Sequence, residues 1–175
     1  MHPIIYDVAV SLDGYISGPG GDISGFAHDG PVVDDYNARM ADYAVAIMGR
    51  STYEFGYQFG LEAGQNPYRH MKTFVFSKTL QCPVNSEITV VRSPGAMNLQ
   101  QLKETSQGPI YLCGGGAFAG SLLSDGLIDQ LRLKRAPIIL GGGVRLCGHH
   151  PVCARPVPMK TKVYDNGYVF QEFQL

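Results

Sequence analysis

Apolar and polar positions along this chain follow two periods in turn. Residues 4–10 form an apolar, β-branched run that reads as a first strand. Ser11-Leu12-Asp13-Gly14-Tyr15 turns out of it, and residues 18–30 form a glycine-rich loop. Val33, Tyr36, Met40 and Tyr43 then recur at spacings of three and four, which predicts an amphipathic helix. Asp34 and Asp35 fall in its first turn, where the helix dipole favours them. Short apolar runs at 45–48, 73–76, 87–91 and 110–113 read as buried strands, and residues 127–133 as a strand with one wet side. Residues 51–59 and 117–124 read as helices, and Asn98 as the N-cap of a helix carrying Leu99 and Leu102.

The C-terminus changes character. Residues 161–164 and 168–173 flank Asp165-Asn166-Gly167, a tight-hairpin signal because Asn-Gly tolerates the positive φ angles of the turn. Strands alternate with helices for most of the chain, then a hairpin closes the sheet. This predicts a three-layer α/β/α domain with a mixed, mainly parallel sheet and a C-terminal antiparallel hairpin. No repeat or linker divides residues 1–175, which read as one domain.

Composition narrows the function. The 175 residues suffice for one sizeable core, and 45% hydrophobic against 17% charged residues excludes a disordered chain. With 14 Lys+Arg against 15 Asp+Glu, the net charge of −1 argues against a nucleic-acid or acidic-membrane partner. Any phosphate recognition must be local. Residues 105–124 carry no charge, but Pro109 and five glycines there fit a strand–turn–helix better than a membrane span. The cysteines, Cys82, Cys113, Cys147 and Cys153, form no CxxC pair and no secretory leader is evident, so a reduced, cytoplasmic setting is expected.

Two turns carry the candidate chemistry. Gly49-Arg50-Ser51-Thr52-Tyr53 and Gly114-Gly115-Gly116 each follow a buried strand and open a helix, an arrangement that offers free backbone N–H groups to an anion. Two such turns suit a ligand with several phosphates, such as a dinucleotide. Arg50 can fork onto phosphate oxygens, and Ser51 and Thr52 add hydroxyl donors. A plain turn with a solvated arginine is the competing explanation. Ser77-Lys78, directly after a strand, places a hydroxyl and an ammonium where an adenosine 2′-phosphate would favour NADP over NAD. A loop lysine is the simpler account of Lys78 alone. Gly141-Gly142-Gly143 lacks a following helix pattern and is given no phosphate role.

The series Ser11-Leu12-Asp13-Gly14-Tyr15-Ile16, Met48-Gly49-Arg50-Ser51-Thr52-Tyr53-Glu54, Phe76-Ser77-Lys78 and Gly114-Gly115-Gly116 closely resembles the dihydrofolate-reductase-like superfamily. Gly126-Leu127-Ile128-Asp129-Gln130-Leu131 and Pro137-Ile138-Ile139-Leu140-Gly141-Gly142-Gly143 are similar to the branch holding the reductase domain of the riboflavin-pathway deaminase–reductase. The resemblance spans nearly the whole chain. It implies NADPH in a cleft at the strand ends, with Gly49, Arg50, Ser51 and Thr52 on its phosphates. Ser77 and Lys78 would sit near the adenosine 2′-phosphate. Gly114, Gly115, Gly116, Ala117 and Phe118 would line the pyrophosphate and nicotinamide ribose, with Ala9 and Val10 near the nicotinamide. It also implies a homodimer. True dihydrofolate reductases place an acid and an aromatic on the first helix. Here Asp34, Asp35 and Tyr36 stand there without a secure match, and the chain has no tryptophan.

The expected activity is an NADPH-dependent reductase. A hydride would pass to a C=N or C=O bond of a small heterocyclic, pterin- or aminopyrimidine-like substrate. Such a bond needs a proton donor, and Asp13, just beyond the first strand, is the catalytic candidate. A turn-capping Asp-Gly is the alternative. Asp35 can pair with Arg39 at i,i+4, and Glu54 reads as a helix residue. His149, His150 and Cys153 form the one metal-like cluster, but no second ligand pair backs them, and no metal is expected. A non-catalytic nucleotide-binding module, or a flavin- or phosphate-binding enzyme of another α/β type, are the rival readings.

Overall fold

A computed structural model describes residues 1–92 and 98–175. Its main sheet has eight strands in the order β5-β4-β3-β6-β1-β7-β10-β9. These are β1 Ile4–Val10, β3 Val45–Gly49, β4 Lys72–Phe76, β5 Thr89–Val91, β6 Ile110–Gly114, β7 Gln130–Arg135, β9 Val157–Val163 and β10 Val169–Gln174. The strands from β5 to β7 in that order run parallel, and β10 and β9 join antiparallel. A separate two-stranded ribbon pairs β2 Tyr15–Ser17 with β8 Val144–Arg145.

Strand alternation builds two cores. From β1, β3 and β6, Ile4, Tyr6, Val45, Ile47, Ile110 and Leu112 point to one face, against Leu99 of α3 Leu99–Thr105 and Ala119 and Leu122 of α4 Gly116–Ser124. Ile5, Ala46, Met48 and Tyr111 point to the other face, against Tyr53 of α2 Arg50–Phe55 and Met40 of α1 Pro31–Met40. Val32 of α1 extends that face against Tyr164, Tyr168 and Phe170. The three-layer α/β/α architecture follows. Asp129 ties the layers at the start of β1: its carboxylate accepts the Ile4 N–H at 2.8 Å and holds the Lys103 ammonium at 2.7 Å.

Several boundaries differ from the sequence reading. The helix expected over 51–59 is α2 followed by a 3-10 turn, Gly56–Phe59. The strand expected over 127–133 begins at Gln130, because Asp129 is engaged at the start of β1. Tyr43 lies past the end of α1 and packs on Tyr111, ring centroids 5.1 Å apart. The closing hairpin forms as expected, but only Gly167 takes a positive φ, at 82°. Asn166 instead accepts the Tyr168 N–H with its side chain.

Candidate functional site

The two glycine turns lie side by side because β3 and β6 are parallel neighbours with Met48 opposite Gly114. Gly115 has φ +34°, which an L side chain rarely adopts. A Cβ there would stand 2.8 Å from the Thr52 hydroxyl oxygen, and one on Gly49 would stand 3.2 Å from the Phe118 Cβ. Each glycine thus makes room for a side chain of the other turn, Gly115 for Thr52 and Gly49 for Phe118. Arg50 reaches over the first turn, its Nε donating to Glu54 at 2.7 Å and its Nη1 to the Thr79 hydroxyl.

Three clefts run in series across the strand ends. A groove of about 680 Å³ is lined by Ser77, Lys78, Arg92 and Phe118. A cleft of about 650 Å³ is lined by Gly49, Arg50, Ser51, Thr52, Gly115, Gly116 and Ala117. Phe118 borders both, its ring 4.9 Å from that of Phe76. An inner cleft of about 340 Å³ is lined by Asp7, Ala9, His28, Tyr36, Tyr111 and Lys134. Val8 and Cys113 border both the inner cleft and the glycine-turn cleft.

The inner cleft holds a buried charge cluster that the sequence reading missed. Asp7 is 1% exposed and Lys134 8%. The Lys134 ammonium donates to Asp7 Oδ1 at 2.9 Å and lies 3.5 Å above the Tyr36 ring. Arg39 donates to Asp7 Oδ2 at 3.1 Å, and the Tyr43 hydroxyl donates to the same oxygen at 3.3 Å. Two cations therefore share one carboxylate. Burial alone would raise the Asp7 carboxyl, but Lys134 and Arg39 together outweigh it and hold it below the ordinary range. Burial pushes Lys134 down more than Asp7 holds it up, and the like charge of Arg39 adds to the fall. The Tyr36 and Tyr111 hydroxyls hydrogen-bond at 2.8 Å, and burial raises both. One signal in the sequence could have found this site. Asp7 interrupts an apolar strand, and a charge at such a position requires a partner.

The expected site residues separate on this frame. Gly49, Arg50, Ser51, Thr52, Gly115, Gly116, Ala117 and Phe118 come together around one cleft, and Ser77 and Lys78 around the adjoining groove. Gly114 turns toward the Tyr6 ring instead. Ala9 lines the inner cleft, whereas Val10 is 4% exposed and lines none of the three. Val8, rather than Val10, lines the glycine-turn cleft from β1.

Asp13 has another task. Its carboxylate accepts the Ser11 hydroxyl at 2.6 Å and the N–H groups of Leu140 and Gly141 at 3.1 and 2.7 Å. It lines none of the three clefts. It clamps the Ser11 turn to the 140–143 glycine loop, beside the β2–β8 ribbon that roofs the glycine-turn cleft through Ile16, Ser17 and Val144. The segment after β8 packs on α4, where Gly116 and Gly120 abut the Arg145 and Cys147 carbonyls.

The Asp35–Arg39 pair does not form. Arg39 turns inward to Asp7, and Asp35 takes the Lys162 ammonium and the Tyr164 hydroxyl. Inward pairing wins because Asp7 is buried and Asp35 is partly exposed. Glu54 pairs with Arg50. Among the described residues no cluster of three metal-ligating side chains forms, and no helix is long and apolar enough to cross a membrane.

Comparison with known proteins agrees with this architecture. The family model "RibD C-terminal domain" matches residues 3–170, and the chain belongs to that reductase family. The uncharacterized protein YyaP of Bacillus subtilis (strain 168) is 25% identical over 149 residues, covering 80% of this chain and 77% of that protein. A crystal structure of a "Putative riboflavin biosynthesis protein" from Shewanella sp. PV-4 superimposes with a TM-score of 0.81 at 24% identity, covering 98% of each chain. Dihydrofolate reductase from Enterococcus faecalis, solved as a complex with NADP(H), superimposes with a TM-score of 0.64 at 14% identity, covering 98% of this chain and 95% of that one. The fold is that of dihydrofolate reductase.

Proposed function

We propose that this chain is an NADPH-dependent reductase of a small pterin- or aminopyrimidine-like heterocycle, acting on a C=N or C=O bond. The observation that carries this reading is the series of three clefts. The groove and the glycine-turn cleft share Phe118, and the glycine-turn and inner clefts share Val8 and Cys113. An extended dinucleotide fits the first two clefts and leaves the third for a small substrate. Gly49, Gly115 and Gly116 line the glycine-turn cleft with backbone alone, which suits a pyrophosphate resting on backbone N–H groups.

In this reading Gly49, Arg50, Ser51, Thr52, Gly115, Gly116 and Ala117 hold the phosphates. Lys78, with Ser77 and Arg92, receives the adenosine end and its 2′-phosphate. When bound, NADPH supplies the hydride. Val8 and Cys113 separate the two compartments, with Ala9 beyond them on the substrate side. Asp13 contributes by holding the loop beside the roof rather than by proton transfer.

The test is fluorescence titration with NADPH and NADH, followed by NADPH oxidation across a panel of pterins and aminopyrimidines. Sub-millimolar NADPH binding and oxidation of a panel member are expected. Absence of NADPH binding defeats the reading. Binding without turnover across the panel favours the non-catalytic nucleotide module.

A further inference from the structure

Both oxygens of the Asp7 carboxylate are engaged within the protein, Oδ1 by Lys134 and Oδ2 by Arg39 and the Tyr43 hydroxyl, unlike an acid left free to bind a pterin. The Lys134 ammonium lines the inner cleft as well, and Asp7 takes one of its three N–H donors. We propose that Lys134 is the proton donor of the reduction, with Asp7 and Arg39 as its positioning residues. The inference rests on the reductase reading above.

Placement supports it. Lys134 lies on β7 opposite Ala9 of β1, one residue past Val8, which borders both clefts. A substrate in the inner cleft with its reducible bond at the Val8–Cys113 border lies beside Lys134. The groups around it come from every neighbouring element. β1 supplies Asp7, α1 supplies Arg39 and Tyr36, and β6 supplies Tyr111 and Cys113. His28 lines the same cleft from the loop before α1, Tyr168 lines it from the closing hairpin, and Phe170 of β10 stands opposite Lys134. Arg132, two residues earlier on β7, is directed to Glu172 and the Tyr43 hydroxyl. Asp7 is thus the one carboxylate in contact with Lys134 among the described residues, and it is shared with Arg39. A lysine held by half a counter-ion in a buried cleft keeps its proton less firmly than a solvated one.

The step balances. An N–H bond of Lys134 breaks and its proton moves to the oxygen or nitrogen of the substrate C=O or C=N bond. The carbon of that bond gains a hydride from the dihydronicotinamide, which is oxidised by two electrons. The neutral amine regains a proton from water entering the open cleft.

Two measurements decide the proposal. The first needs no substrate: lysine 13Cε NMR titration of the wild-type chain, with the Lys134 signal assigned by its loss in Lys134→Met. A midpoint below the ordinary lysine value of about 10.4 is expected, and Asp7→Asn should lower it further. A midpoint at or above the ordinary value overturns the proposal, whatever the turnover results. The second compares NADPH oxidation with a 7,8-dihydropterin and with benzaldehyde as C=N and C=O probes. Lys134→Met should lose about 100-fold or more in kcat on whichever probe the wild type reduces, with NADPH affinity kept within about twofold. Lys134→Arg keeps the charge but cannot release a proton, and should be equally impaired. Wild-type turnover in Lys134→Arg overturns the proposal. The double variant Asp7→Asn/Lys134→Met, which removes both charges, guards against misfolding of the single one, and turnover retained in it also overturns the proposal. If neither probe is reduced, the NMR titration alone decides. A wild type that fails to bind NADPH defeats the reductase reading instead, independently of where Lys134 titrates.

Discussion

The Thr52 hydroxyl oxygen stands 2.8 Å from the point where a side chain on Gly115 would begin. The first glycine turn can therefore present a hydroxyl into the cleft only because the second has no side chain. The two turns are one composite surface, assembled by the parallel pairing of β3 with β6.

Gly115→Ala tests that dependence. The added methyl meets both a positive φ and the Thr52 hydroxyl. Backbone strain should cost about 1–2 kcal/mol of stability, read as a lowered urea midpoint. NADPH should bind about tenfold or more weakly, because a single lost contact of 1.4 kcal/mol is tenfold. Unchanged affinity would remove Gly115 from the site.

Arg50→Ala should weaken NADPH and NADH alike by about 1.5–3 kcal/mol, the scale of a charge-assisted hydrogen bond. Its exposed pair with Glu54 contributes at most about 1 kcal/mol to stability, so the melting curve should barely move. Lys78→Ala should weaken NADPH more than NADH in the same titration. Equal losses would argue against a 2′-phosphate at Lys78.

Asp7 predicts a pH dependence of stability. Its folded carboxyl is held below the ordinary value of about 3.9, so ionised Asp7 contributes stability above that value, which is lost as pH falls through the folded one. Asp7→Asn strands two cations, and should cost about 3–5 kcal/mol at pH 7 while flattening the acid limb of the stability curve. Urea melts from pH 7 down to pH 2 supply the measurement. Lys134, depressed as well, acts in the same direction at the alkaline end, stability rising as pH climbs toward the unfolded lysine value.

Asp13 is held at about 2, first by the Ser11 hydroxyl and then by the Gly141 and Leu140 N–H groups. Amide exchange at Leu140 and Gly141 should stay slow from pH 7 to pH 4 and lose its protection only as pH falls through about 2. Asp13→Ala should accelerate exchange at both amides at neutral pH. Protection unaltered in the variant would deny Asp13 its clamping role.

The fold was legible wherever one local rule acted alone. Apolar runs ending in glycine marked β3 and β6, and Asn98 caps α3 by accepting the N–H groups of Gln100 and Gln101. The glycine turns and Ser77-Lys78 were legible because backbone exposure at a strand end is a property of a short segment. The inner cleft was not. Asp7, Arg39 and Lys134 are far apart in sequence and meet only through strand order and helix placement. The i,i+4 spacing of Asp35 and Arg39 misled for the same reason: a buried carboxylate on another element competes with the local pair and wins. Asp13 was read at the end of the right strand, but its partners, Leu140 and Gly141, are 127 and 128 residues away.

The β2–β8 ribbon also implies an order of assembly. Tyr15 pairs with Arg145 and Ser17 with Val144, and the following segment rests on the bare backbone of α4 at Gly116 and Gly120. A segment whose partners come from the two halves of the chain docks only after both are in place, since closing so long a loop is rewarded late. The roof of the glycine-turn cleft then closes late in folding, after the strands it covers. A bound dinucleotide beneath it would be registered as slower nicking between residues 140 and 150.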